Sequence, residues 1–164
     1  MRLSGGMMQS GVVKPRFTLD TNLLVYSVDQ GEAVKHPLAA QILLAAPHFD
    51  CWLTLQALSE FYWAISRKRI MPLCEAAAQI DDWLTYFPTA AASSGAVQAG
   101  VAHAVAGRAS YWDALLIATA AEAGCMLILT EDLRDGSTLG GVSIHNPFDP
   151  GGGLTVQARQ LLGL

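Results

Sequence analysis

Four acidic residues stand inside or beside apolar runs, apart from the other charges of the chain. Asp20 closes FTLD, Glu60 lies in LQALSEFYWAI, Asp113 lies in SYWDALLIATA and Asp132 follows LILTE. Apolar runs normally enter the interior, where an unpaired carboxylate is costly to bury. Four such acids indicate that the fold gathers them, and gathered like charges must be protonated or neutralised by a cation. Because hard divalent cations take oxygen ligands, the pattern favours a metal site.

The elements that must position these acids alternate between strands and helices. Apolar runs bounded by polar residues predict strands at 16–20, 51–55, 126–130 and 142–145. Apolar residues at helical spacing predict helices at 21–28, 35–46, 56–69, 72–87, 94–106 and 110–124. This alternation implies right-handed crossovers and a three-layer α/β/α domain with a central, mainly parallel sheet. Such sheets bind ligands at the carboxyl ends of their strands, where Asp20 and Asp132 fall.

Asp20 and Asp113 also have structural explanations. Asp20 is well placed to cap the helix that begins at Thr21, and a capping role is compatible with metal binding. Ser110 and Asp113 resemble a capping box, with aspartate in the usual place of glutamate or glutamine. However, the helix behind Asp113 is apolar almost all round, which predicts that the helix and this acid are buried. A buried acid needs more than a cap, so we favour a functional role for Asp113.

The other two acids are less distinctive. Glu60 points away from the apolar face of its helix, which suits an ordinary solvated surface. The large Trp63 on the same face as Glu60 argues instead for a cleft. Asp132 stands beside Glu131, as acids in surface loops often do, and only its place after a strand marks it.

Composition bounds the class of protein. The 164 residues suit one domain with a proper core. Only 15% of them are charged, against a usual share of about 25%, which suggests that a partner or a second copy covers part of the apolar surface. The net charge of −4 gives no overall attraction to nucleic acid, so RNA or DNA would need a local basic patch. Arg67, Lys68 and Arg69 form the clearest one.

Several classes of protein lack support in the sequence. The three cysteines are widely spaced without a CxxC pair, which is typical of buried thiols in a reducing cytosol. The first ten residues lack the apolar core of a signal peptide, and no run is apolar enough to span a membrane. We therefore expect a soluble, cytoplasmic protein. No Ser–His–Asp pattern or phosphate-binding glycine loop occurs, and no metal-ligand spacing joins the histidines His36, His48, His103 and His145.

We expect three segments along the chain. Residues 1–13 are rich in glycine, serine and methionine and are predicted to form a flexible leader. Residues 14–148 are predicted to form the α/β domain. Residues 149–164 begin with the helix breaker DPGGG and are predicted to be a C-terminal tail, either disordered or packed on a partner.

Taken together, these motifs resemble the PIN-domain family and, within it, the small VapC-type ribonuclease toxins. The resemblance covers residues 16–148. It rests on LDTNLLVY after the first strand, Ser59-Glu60 on the third helix, WDALLIATA at Asp113, LTEDL, and IHNPF as the closing strand. The four acids follow one another at intervals of 40, 53 and 19 residues, which suit a domain of this size.

The resemblance implies a metal-dependent endoribonuclease that acts as the toxin of a type II toxin–antitoxin pair. One or two Mg²⁺ or Mn²⁺ ions would be held by Asp20, Glu60, Asp113 and Asp132. Such ions activate a water and neutralise charge on the attacking and leaving oxygens. Asn22 would orient Asp20, and Thr130 would hydrogen-bond a metal-bound water or a phosphate. RNA would meet the basic cluster at residues 67–69.

The resemblance also implies a homodimer that a small VapB-like antitoxin blocks at the active site. Two other interpretations compete with the enzyme. The first is a catalytically inactive PIN-like module that binds RNA or protein. The second is a phosphotransferase of the haloacid-dehalogenase type, which we discount because Asn22 occupies the place of the second acid that this class requires.

Overall fold

The computed structural model describes residues 14–164, and the predicted leader at 1–13 lies outside the described residues. The described part of the chain contains six strands: β1 (Phe17–Leu19), β2 (Cys51–Thr54), β3 (Thr89–Ala90), β4 (Leu127–Leu129), β5 (Thr138–Leu139) and β6 (Val142–His145). It also contains seven α-helices: α1 (Thr21–Tyr26), α2 (Lys35–Ala45), α3 (Leu55–Lys68), α4 (Leu73–Tyr86), α5 (Ser94–Val105), α6 (Tyr111–Glu122) and α7 (Val156–Leu162). A short 3₁₀ helix, Ala46–His48, follows α2.

The strands form one sheet in the order β3-β2-β1-β4-β6-β5. All neighbours are parallel except β5 and β6, which are antiparallel. Residue Phe17 of β1 is in register with Cys51 on one side and Leu127 on the other. The predicted α/β class with a mainly parallel central sheet is confirmed. Its consequence for function is that β1, β2 and β4 end at the same edge of the sheet.

The core explains why these segments take these conformations. The central strand β1, Phe-Thr-Leu, is buried on both faces, which is why it carries no charged residue. Helices α3 and α4 pack through an edge-to-face pair, Phe61 and Trp83, whose ring centroids are 4.7 Å apart. Helix α5 approaches α6 closely at Gly100, because a Cβ there would lie 3.1 Å from the Cα of Leu115.

Each predicted helix and strand is present, with ends within two residues of the predicted ones. The two-residue strands β3 and β5 were not predicted, because their pairing partners decide them and a run of two residues shows no periodicity. The prediction of buried cysteines is correct for Cys51 and Cys125 and wrong for Cys74, which is exposed. Within residues 14–164, no helix is long and apolar enough to cross a membrane.

The C-terminal segment corrects an expectation. We expected a disordered tail or one packed on a partner, but the tail packs on the core of its own domain. Leu154, Ala158 and Leu162 are buried there at helical spacing. Thr155 caps α7 by accepting a hydrogen bond from the backbone N–H of Ala158. The DPGGG segment is therefore a turn that leads into the last helix of the domain.

We predict that Leu162→Ala destabilises the protein by about 2–5 kcal/mol, because it leaves a cavity where a fully packed leucine stood. Leu162 is 2% exposed, whereas Leu164, two residues later, is 42% exposed. The matched substitution Leu164→Ala should change the free energy of unfolding by no more than about 0.5 kcal/mol. Urea denaturation of both variants measures the difference. Equal, small effects would show that the tail does not pack on the domain.

Candidate active site

A cavity of about 790 Å³ opens at the carboxyl edge of the sheet, and all four acids line it. Asp20 directly follows β1, and Asp132 lies three residues after the end of β4. Because Leu19 and Leu129 are in register, the two strands that these acids follow end side by side. Glu60 comes from the second turn of α3, and Asp113 from the first turn of α6. The cavity is also lined by Thr21, Asn22, Val25, Gln56, Ser59, Trp63, Ala64, Lys68, Trp112 and Leu115.

Asp20 is the most buried of the four acids, with 7% of its surface exposed. It occupies the N-cap position of α1, but its side chain makes no capping hydrogen bond, so the capping explanation fails for it. Instead its Oδ2 accepts a hydrogen bond of 2.7 Å from the hydroxyl of Thr130. Its pKa is raised to about 7, mainly by burial. The charges of Asp132 and Asp113 contribute to this rise, and the hydrogen bond from Thr130 opposes it.

Asp132 is held by two neighbours. The amide Nδ2 of Asn22 donates to its Oδ2 at 2.7 Å, and its backbone N–H donates to the hydroxyl oxygen of Thr130 at 3.1 Å. Partial burial and then the charge of Asp113 raise its pKa. One predicted contact is therefore corrected: Asn22 orients Asp132 and not Asp20. The buried hydroxyl of Thr130 donates to Asp20 and accepts from the backbone N–H of Asp132, and its contact with a phosphate or a metal-bound water stays a prediction.

Glu60 lies half-buried in the cavity wall, which excludes the ordinary solvated face as its setting. Its Oε2 accepts a hydrogen bond of 3.2 Å from the hydroxyl of Thr21, and its Oε1 accepts one of 2.6 Å from Nε2 of Gln56. The same Nε2 of Gln56 donates to the backbone oxygen of Trp112 at 3.0 Å. Gln56 therefore joins the start of α3 to the start of α6, next to Asp113.

Asp113 combines the two roles that the sequence left open. The hydroxyl of Ser110 accepts a hydrogen bond from the backbone N–H of Asp113 and donates one of 2.6 Å to its Oδ2. The capping arrangement is thus present, and the same carboxylate faces the cavity. The predicted burial of this acid is wrong: Asp113 is half-buried, because the first turn of α6 emerges at the edge of the sheet while residues 114–120 enter the core.

The charge of the four acids has no cationic partner within residues 14–164. The salt bridges found there join Arg16 to Asp50 and Lys35 to Glu131, and neither involves the cavity acids. The donors to the cavity carboxylates are hydroxyls and amides alone. Like charges therefore face one cavity with neutral hydrogen bonds and no salt bridge among the described residues, which is a setting that a bound cation stabilises.

The residues fit a hard divalent cation in their chemistry. Carboxylate and amide oxygens are the ligands of Mg²⁺ and Mn²⁺, and Mg²⁺ retains several waters beside a few protein ligands. In the described part of the chain no three acidic, histidine or cysteine side chains already stand at ligand separation. The acids share a cavity without converging on one point.

The loop that carries Asp132 is anchored on its other side by Glu131. Lys35 of α2 donates to both carboxylate oxygens of Glu131, at 2.7 and 2.8 Å, and the hydroxyl of Tyr26 donates to Oε1 at 2.5 Å. Burial and the neighbouring Glu131 raise the pKa of Tyr26 to about 12, so the phenol stays protonated and keeps donating. Glu131 is thus a structural anchor, whereas its neighbour Asp132 faces the cavity.

The basic cluster is only partly at the site. Lys68 lines the cavity, but Arg67 and Arg69 do not. The guanidinium of Arg67 lies 5.0 Å from the ring centre of Trp63, and Arg69 ends α3 in the left-handed conformation.

Two residues that hold the acids, Thr21 and Gln56, were not predicted from the sequence, although their positions offered a signal. Thr21 adjoins Asp20, and Gln56 precedes Glu60 by one helical turn.

Comparison with known proteins places this site in a family. A family model of the PIN domain matches residues 17–134, more than two thirds of the chain. This chain belongs to the PIN domain family. All four cavity acids of this PIN domain lie within the matched residues. A search of curated proteins found no match.

Solved structures share the fold of this PIN domain at low sequence identity. The VapC20 toxin of Mycobacterium tuberculosis, described as a sarcin–ricin loop cleaving toxin, is 18% identical with a TM-score of 0.59, over 74% of this chain and 91% of that one. VapBC2 from Rickettsia felis, bound to a promoter DNA fragment, is 15% identical with a TM-score of 0.56, over 79% and 97%. DNA-bound VapBC from Salmonella typhimurium is 15% identical with a TM-score of 0.57, over 80% and 97%. At these identities the likeness shows the fold.

We predict that Asp20 makes the metal-free protein less stable as pH rises. Between about pH 4 and 7 the folded protein keeps a proton on Asp20 that the unfolded chain has released, since the pKa rises from 3.8 to about 7 on folding. The free energy of unfolding should therefore fall through that range by up to about 4 kcal/mol. Asp20→Asn should remove most of this slope and leave a smaller one from Asp132.

Urea denaturation in EDTA at pH 4.5, 6 and 7.5 measures this slope. The control is Asp81→Asn, which removes an exposed carboxylate of α4 and should keep the wild-type slope. Identical slopes in wild type and Asp20→Asn would mean that Asp20 is ionised and solvated in the folded protein.

Proposed function

We propose that this PIN domain is a Mg²⁺- or Mn²⁺-dependent endoribonuclease that hydrolyses RNA phosphodiester bonds. The observation that carries the proposal is the gathering of four carboxylates in one cavity, where neutral donors hold them and no salt bridge among the described residues neutralises them. Membership of the PIN domain family supports it.

The four carboxylates would hold the metal through their oxygens, and Asp20 would be the most buried of these ligands. When bound, the metal activates a water and neutralises charge on the phosphate oxygens. Asn22 and Thr130 fix Asp132, while Thr21 and Gln56 fix Glu60. Because these donors are neutral, they orient the carboxylates without replacing the cation that their charge attracts.

We further propose that the chain is the toxin of a type II pair and that a VapB-like antitoxin binds it. The support is the shared fold with VapC20 and with two VapBC complexes. A homodimer is supported by an exposed apolar stripe on α5, where Val97, Val101 and Val105 recur at helical spacing. The free thiols Cys51 and Cys125 support a reducing, cytoplasmic setting.

The RNA path is proposed to pass the basic cluster of residues 67–69. Lys68 contributes a positive charge at the cavity wall, where it would attract the phosphate backbone toward the carboxylates. Arg67 and Arg69 follow on the exposed end of α3.

We predict RNA cleavage that requires Mg²⁺ or Mn²⁺ and that EDTA abolishes. Asp20→Asn and Asp113→Asn should each lower the cleavage rate by about 100-fold or more, since each removes a proposed metal ligand. Asp81→Asn should cleave at the wild-type rate, because Asp81 lies outside the cavity. Gel assays with a labelled RNA measure the rates. Equal cleavage in excess EDTA would reject the metal mechanism, and no cleavage under any condition would favour the inactive module.

We predict that millimolar Mn²⁺ raises the melting temperature of the wild type but hardly that of Asp113→Asn. A ligand at ten times its Kd stabilises the folded state by about 1.4 kcal/mol, or a few degrees for this size. Asparagine keeps the backbone N–H that Ser110 caps, so the substitution isolates the carboxylate charge. Without metal the variant should melt at or above the wild-type temperature, because one repelling charge is gone. A lower melting temperature of the variant with an unchanged response to Mn²⁺ would show that Asp113 caps the helix and does not bind the metal.

A further inference from the structure

Two of the four tryptophans stand open at the carboxylate cavity. Trp63 is 60% exposed and Trp112 is 59% exposed, and both line the cavity. The other two lie outside the cavity: Trp83 is buried in the core, and Trp52 is half-buried beneath the guanidinium of Arg16. A large aromatic side chain normally loses much of its surface on folding, so two exposed indoles at one cavity indicate a ligand surface.

Each indole is positioned beside a carboxylate. Trp63 follows Glu60 by three residues on α3, and Trp112 directly precedes Asp113. The backbone of Trp112 is fixed by its hydrogen bond from Gln56, and its ring packs edge-on against Tyr111 with centroids 5.1 Å apart. These contacts hold the indole of Trp112 at the rim of the site and leave it 59% exposed.

The charge of the metal-free cavity gives such a surface a use in binding RNA. Without a bound cation the four carboxylates and the net charge of −4 disfavour a polyanion, and Lys68 is the single basic side chain of residues 14–164 that lines the cavity. Stacking of a nucleobase on an aromatic ring adds affinity without depending on charge. Such a stack is worth a factor of about 5 to 150 in affinity per base. The guanidinium of Arg67 lies over one face of Trp63, 5.0 Å from the ring centre, so a base would stack on the other face.

We propose that Trp63 and Trp112 are stacking platforms for unpaired nucleobases that flank the phosphate at the carboxylates. This inference rests on the proposed ribonuclease function and names two residues that would position its substrate. A paired base offers its faces only to its neighbours in the helix, whereas a base in a loop or single strand is free to stack on protein. The two indoles would therefore bind the unpaired bases of the substrate and not its paired ones.

Tryptophan fluorescence in EDTA tests the proposal without cleavage. An unstructured RNA oligonucleotide should quench the fluorescence of the wild type, and the same strand annealed into a duplex should bind at least about five-fold more weakly. Trp63→Leu and Trp112→Leu should each lose about five-fold or more in affinity for the unpaired strand, with partial rescue by Trp63→Phe and Trp112→Phe. The matched control Trp52→Phe removes an indole outside the cavity and should bind like the wild type.

The outcomes separate this inference from the nuclease proposal. Absence of quenching, equal binding of duplex and single strand, or wild-type affinity in both leucine variants overturns the stacking platforms, whether or not the protein cleaves RNA. Stacking without any cleavage in Mg²⁺ or Mn²⁺ overturns the nuclease proposal alone. If a second copy of the chain covers the indoles, the leucine variants should weaken dimerisation in sedimentation and leave RNA affinity unchanged, which also overturns the platforms.

Discussion

One electrostatic feature constrains the whole structure. Four carboxylates face a single cavity, and no salt bridge among the described residues neutralises them. Their repulsion and the burial of Asp20 oppose folding of the ionised protein at neutral pH. The apolar packing of β1, β4 and α6 behind the site must outweigh that opposition. A bound cation would remove it, so occupation of the site and stability of the fold are linked.

The hydrogen bonds at the cavity cross between elements. The hydroxyl that holds Asp20, after β1, comes from Thr130 after β4, and the amide that holds Asp132 comes from Asn22 on α1. Thr21 on α1 likewise reaches Glu60 on α3. Each acid is therefore oriented by an element that it does not belong to, except Asp113 with its own cap. Correct packing of α1 between these elements is a condition for the site.

The cavity combines negative charge with exposed tryptophan side chains. A strongly negative site repels a nucleic acid, and the chain supplies few positive charges near it. Open indoles beside Glu60 and Asp113 offer an attraction that does not depend on net charge. An acidic protein can in this way be proposed to act on a polyanion without a broad basic surface.

The sequence alone determined the class of fold and the four acids, because strands and helices with strong periodicity form wherever their apolar faces find a core. Only the tertiary structure decided which partner each acid has. Asn22 is only two residues from Asp20 in sequence but bonds Asp132, since a helix turns each residue by about 100° and residues two apart point to nearly opposite sides. The C-terminal segment is a second example. DPGGG predicts the end of regular structure, but whether Leu162 is buried depends on core residues from distant segments of the chain.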